Sequence, residues 1–172
     1  MNPVRVSTVL GTGQSIPFVR IEDADVMVKQ AETSRPGAIV ISVDGVEFIG
    51  PDLFDEIDTF WFTFIEGVER VRKTGSGSSL WSAQNIRVDY SAFDRAAGER
   101  FLHMRLVVGD EPVEGREAYA PLKDFSSAVA EAATFFFEKA HLLDPARFRK
   151  NSYYQDMIDR WRAEDALSLI HI

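Results

Sequence analysis

His103 is the residue in this chain best suited to proton transfer. It lies in RFLHMRLVV, where Leu102, Met104, Leu106 and Val108 alternate with Phe101, His103, Arg105 and Val107. Period two marks a strand with one face on the core. Arg87 and Asp89 alternate in the same way with Ile86, Val88 and Tyr90. Arg87, Asp89, His103 and Arg105, with Glu117 on a further strand, therefore make a polar sheet face. There an imidazole could act as a general base or hold a ligand. The same residue types also form the cross-strand charge pairs of an ordinary wet sheet face.

The second constellation is acidic. Asp52, Asp55, Glu56 and Asp58 crowd into seven positions, and spacings of three and four put some of them on a common helical face. Hard cations favour such oxygens. However, there is no EF-hand loop, no His-x-x-x-His and no paired Glu-x-x-His, so no metal is expected. The cluster instead suits the positive end of a helix dipole. Together with Phe62, which falls off the core-facing stripe of the same helix, it offers a patch for a protein partner.

Other signals point away from catalysis. His141 falls late in a helix with no ligand at i+4. Gly11 and Gly13 follow a strand, but the third glycine of a dinucleotide loop is missing and Pro17 blocks the helix that should follow. TGSGSS, residues 74–79, lacks the lysine of a phosphate loop and reads as a flexible connector. No G-x-S-x-G elbow occurs. There is no Cys, which excludes disulfides, thiol catalysis and cysteine-type zinc sites. No cofactor is expected.

The element that must position these groups is Pro51 to Lys73, read as one long amphipathic helix. Leu53, Ile57, Phe60, Trp61, Phe64, Ile65, Val68 and Val71 recur at three- and four-residue spacing. Pro51 suits the first helical position, and Gly75 is a natural stop. Before it, Ile39 to Ile49 reads as a hairpin around Asp44-Gly45, the pair a type I′ turn favours. Further strands are expected at residues 4–10, 18–21 and 25–28, with a polar connector over 31–37. After the helix come strands at 86–90, 100–108 and 113–120. A second helix opens at Pro121 or Asp124 and ends before Asp144-Pro145. A third, capped by Asn151 or Ser152, runs to about Asp165.

The chain of 172 residues is expected to form one domain over residues 1–166, with N-terminal strands and connector in 1–37 and the core in 38–166. Residues 167–172, LSLIHI, read as a tail with the look of a translated sequencing adapter. No apolar run is long enough to span a membrane, and a cytoplasmic location is expected. The net charge is −8, and its placement is uneven. Glu22 to Glu69 holds twelve acids and two bases, a net of −10, so the rest of the chain is slightly basic. Such a field repels nucleic acid and steers a basic partner.

VDGVEFIG, FWFTFIEG and the acidic bias complete a layout of hairpin, aromatic-rich helix, three meandering strands and a final helix pair over residues 38–166. This resembles small, acidic, Cys-free bacterial proteins of unknown function, some of which are similar to immunity proteins of polymorphic-toxin systems. The resemblance implies a non-enzymatic protein-binding module that neutralises a basic toxin domain through an acidic surface. The alternative is a small enzyme or ligand-binding domain using the polar sheet face around His103. The expected fold is α+β, an antiparallel sheet of hairpin plus three-strand meander, with the helices mainly on one face.

Overall fold

The computed structural model describes residues 3–12, 18–25, 35–95, 98–148 and 152–167. The chain order is β1 (Val4–Gly11), β2 (Phe18–Arg20), a 3-10 turn (Ile21–Asp23), β3 (Pro36–Val43), β4 (Val46–Ile49), β5 (Asp55–Glu56) and α1 (Ile57–Thr74). Then follow β6 (Ser76–Leu80), β7 (Ile86–Asp94), β8 (Arg100–Val108), β9 (Glu111–Pro121), α2 (Leu122–Leu143) and α3 (Ser152–Leu167). The class is α+β. The hairpin and the meander lie in separate antiparallel sheets, β2-β1-β3-β4 with β5 beside β3, and β6-β7-β8-β9. The expected strand at 25–28 lies mostly outside the described residues, as do residues 13–17, most of the 31–37 connector and the tail.

Both long helices touch both sheets: α1 contacts β3 and β6, and α2 contacts β1 and β8. One apolar cluster therefore runs from Val4 through both sheets to Trp161. At its centre Phe60, Trp61, Phe64 and Ile65 are fully buried, as the helical spacing predicts. Each such side chain contributes roughly 1.5–3 kcal/mol by leaving water. Trp61 stacks on Phe136 of α2 at 5.8 Å, and its indole N–H donates to Thr8 Oγ1 of β1 at 3.1 Å. The hairpin turn is type I′, with φ of 51° at Asp44 and 82° at Gly45.

Two expectations about local structure are corrected. The first helix begins at Ile57, six residues after Pro51. Pro51 sits in a turn closed by Leu53 N–H to Gly50 O, and Asp55–Glu56 pairs with Pro36–Gly37 as strand. Of the four clustered acids, only Asp58 is in the first helical turn, so dipole complementation does not explain the others. Gly75 does end the helix, in the left-handed region at φ 83°. The TGSGSS connector is largely strand, since Ser76–Leu80 pairs with β7 along its whole length. Its small residues let it lie directly against α1. A Cβ on Gly67 would fall 2.3 Å from Ser79 Oγ.

Candidate functional site

The four clustered acids do different work. Asp55 is 4 % exposed and Asp58 6 %, so both carboxylates are spent inside the fold. Asp55 accepts from Ser82 Oγ at 3.0 Å and from the Ala83 N–H at 3.2 Å, tying the start of α1 to the loop before β7. Asp58 accepts from Arg147 Nε at 2.7 Å. Glu56, half-buried, accepts from the Arg35 N–H at 2.8 Å. Asp52 is exposed and pairs with Arg116 of β9 at 3.0 Å. Buried carboxylates need such partners, because an unpaired charge away from water is costly.

Three residues that sequence reasoning missed complete this arrangement. Arg35 is buried and binds Asp144 through Nε at 3.2 Å and Nη2 at 2.6 Å. Arg147, three residues on, reaches Asp58. Asp144 and Arg147 follow α2, so one ion pair ties the end of α2 to the residue before β3 and the other clamps it against the start of α1. His141 joins in by donating Nδ1–H to the Phe148 carbonyl. The one available signal was composition: Arg35 is one of two bases among twelve acids.

Phe62 is not a free surface ring. It stacks on Tyr154 at 4.5 Å and on Phe137 at 5.6 Å, joining all three helices.

Three of the acids left facing solvent gather around the hairpin. Asp44, Val46 and Glu47 are exposed at its tip and on β4, and Asp52 follows. A Cβ placed on Gly50 would meet Glu47 Oε1 at 2.3 Å and Asp52 Oδ1 at 2.7 Å. Two carboxylates thus converge over one glycine, and among the described residues Arg116 is the cation bound there.

The polar sheet face is assembled as the period-two pattern predicts. Cross-strand rows run Asp89–Arg105–Glu117, Ser91–His103–Tyr119 and Phe93–Phe101–Pro121 over β7, β8 and β9. Arg87 Nε binds Asp89 at 3.0 Å, and its Nη1 donates to Gly109 O at 2.7 Å. Arg105 reaches Asp89 at 4.0 Å. His103 Nε2 contacts Glu117 Oε2 at 2.9 Å, and the ring lies flat on Tyr119 at 4.4 Å. Phe93 and Phe101 sit 6.2 Å apart beside them, with the Arg95 guanidinium 3.9 Å over Phe101. Ser91 lies opposite His103, yet no hydrogen bond joins them. A nucleophile–base contact, which acyl-transfer chemistry needs, is therefore not formed between these two residues.

Among the described residues no group of three or more metal-ligating side chains converges. Among them, too, no helix is long and apolar enough to cross a membrane. Comparison with known proteins finds no matching family model, no matching curated protein and no matching solved structure.

Proposed function

We propose that this chain is a non-enzymatic protein-binding module of the immunity type, which covers a basic partner with its acidic hairpin surface. The observation that carries the reading is the convergence of Glu47 and Asp52 over Gly50. Arg116 pairs with Asp52, and among the described residues no cation pairs with Glu47. A lysine or arginine of a partner would supply that cation. Val46, 71 % exposed at the hairpin tip, supplies an apolar contact beside the charges. The docking acids are then Asp44, Glu47 and Asp52, while Asp55 and Asp58 support the fold beneath them.

The test is co-expression with the polypeptide encoded beside this gene, followed by association kinetics at two salt concentrations. The expected complex forms at a rate that falls as salt screens the charges. Glu47→Gln with Asp52→Asn should slow association while the melting temperature stays near that of the wild type. An on-rate unchanged by both salt and substitution would reduce the acidic hairpin to a solubility feature.

A further inference from the structure

We infer that the outer face of β8 and β9, in the β6–β9 sheet, is a self-association surface, and that its occupant is a second copy of this chain. The inference stands apart from the acidic hairpin and uses different residues. The inner face of this sheet packs on α1 and α2. The outer face carries an aromatic row, Phe93, Phe101 and Tyr119, of which Phe93 and Tyr119 are exposed. Beside the row lie charges that are only partly used. Arg105 is 46 % exposed, and its contact with the Asp89 carboxylate is 4.0 Å long. Glu117 is 53 % exposed and is held by the imidazole of His103.

The charge pattern is what selects a second copy. Two sheets packed face to face as a symmetric dimer are related by a two-fold axis lying between them. If that axis runs along the strands between β8 and β9, each β8 residue faces its β9 cross-strand neighbour in the other copy. The register then decides who meets whom. Arg105 is paired with Glu117, His103 with Tyr119, and Phe101 with Pro121. Across the interface Arg105 therefore meets Glu117 of the second copy, and the same contact repeats in reverse. His103 faces Tyr119, and the apolar end faces its own kind. One surface is thus complementary to itself in both charge and polarity. In this arrangement β8 and β9 of one copy cover β9 and β8 of the other, while β6 and β7, with Phe93, extend beyond the overlap. With strands of nine to eleven residues at ~3.3 Å rise and two strands at ~4.8 Å spacing, the contact measures about 30 by 10 Å. That is small for a stable interface, so a weak, concentration-dependent dimer is expected.

The experiment is sedimentation velocity over a concentration series, with single and mixed charge reversals. The wild type should shift from monomer to dimer as concentration rises. Arg105→Glu sets two carboxylates against each other across the axis, and Glu117→Arg sets two guanidinium groups against each other. Each variant alone should dimerise about tenfold more weakly or worse. An equal mixture of the two should recover association through the mixed dimer. In that dimer one cross-interface contact joins the two unsubstituted side chains and the other joins the two reversed ones, so both unite opposite charges. The reversals also put like charges side by side within each chain, so thermal melts of each variant establish that it is folded. Recovery on mixing cannot come from that intrachain effect, which persists in the mixture. A wild type that stays monomeric throughout, or a dimer indifferent to both reversals, would overturn the inference.

Discussion

Gly67 on α1 and Gly77 on β6 press backbone against backbone: a Cβ on Gly77 would lie 2.6 Å from the Gly67 carbonyl oxygen. The contact explains why a glycine- and serine-rich segment forms a strand at all. Larger side chains would hold the helix off the sheet edge. Thr63 closes the same contact further along by donating to the Leu80 carbonyl at 3.0 Å.

Gly67→Ala and Gly77→Ala should therefore each destabilise the fold. Inserting one methyl where atoms already touch forces backbone shifts that cost roughly 1–3 kcal/mol. Gly67→Ala is the sharper test, because alanine otherwise improves a helix by ~1 kcal/mol. Urea denaturation reads the sign. A stabilised Gly67→Ala variant would mean that helix and strand stand further apart than described.

A second prediction concerns the buried indole of Trp61. Trp61→Ala removes a fully buried ring between Phe64 and Phe136, and should cost roughly 3–5 kcal/mol. Thr8→Val isolates the polar part of this contact. It preserves shape while leaving the indole N–H without its acceptor, a loss of about 1–3 kcal/mol. Trp61→Phe in the same background should make the Thr8 substitution nearly neutral, as a double-mutant cycle would show.

What could be read from the chain alone was whatever depends on near neighbours. The Asp44-Gly45 turn was legible because a type I′ turn places its demand on those two residues. The face of α1 was legible because burial repeats every three to four residues. Its start was not, because Asp55 is held out of the helix by Ser82 and Ala83, more than twenty residues later. β6 was hidden because its small residues look like a linker and reveal their purpose only against Gly67. On the sheet face, Arg87, Asp89, His103 and Arg105 followed from period two. Phe93 did not, since β7 runs on to Asp94, beyond the expected end at Tyr90. The acids at 52–58 were visible as a cluster, but which of them face water depends on Arg35, Arg147 and the loop before β7.

The Arg35–Asp144 pair yields a third prediction. Arg35 is buried, and Asp144 is only slightly exposed. Arg35→Met removes the guanidinium that these two hydrogen bonds bring to Asp144, and should cost roughly 3–5 kcal/mol. Adding Asp144→Leu should recover part of that loss, since removing both charges avoids leaving a carboxylate that has lost this guanidinium. Chemical denaturation of both variants checks this. Equal stability of the single and double variants would show that Asp144 draws little from Arg35.

The last prediction is a pH dependence at the junction of α1 and α3. Glu69 of α1 accepts hydrogen bonds from Trp161 Nε1 and Arg160 of α3, and pairs with Lys73 one turn on. Burial acts to raise its pKa. The hydrogen bonds from Lys73 and Trp161, with the charges of Lys73 and Arg160, outweigh that and leave the carboxyl below its ordinary value of 4.5. The folded state thus binds this proton less readily than the unfolded chain. The stability it contributes is fully present above the unfolded pKa and is lost as pH falls through the lowered folded one. Wild type should therefore weaken between about pH 5 and the strongly acid range partly through Glu69. Glu69→Gln should be less stable than wild type at neutral pH, and the gap should close as the solution is acidified. Urea midpoints followed by tryptophan fluorescence at several pH values measure that gap. A gap that stays constant down to the acid limit would mean that Glu69 acts through shape and neutral hydrogen bonding, and that its charge contributes nothing to holding α3 on α1.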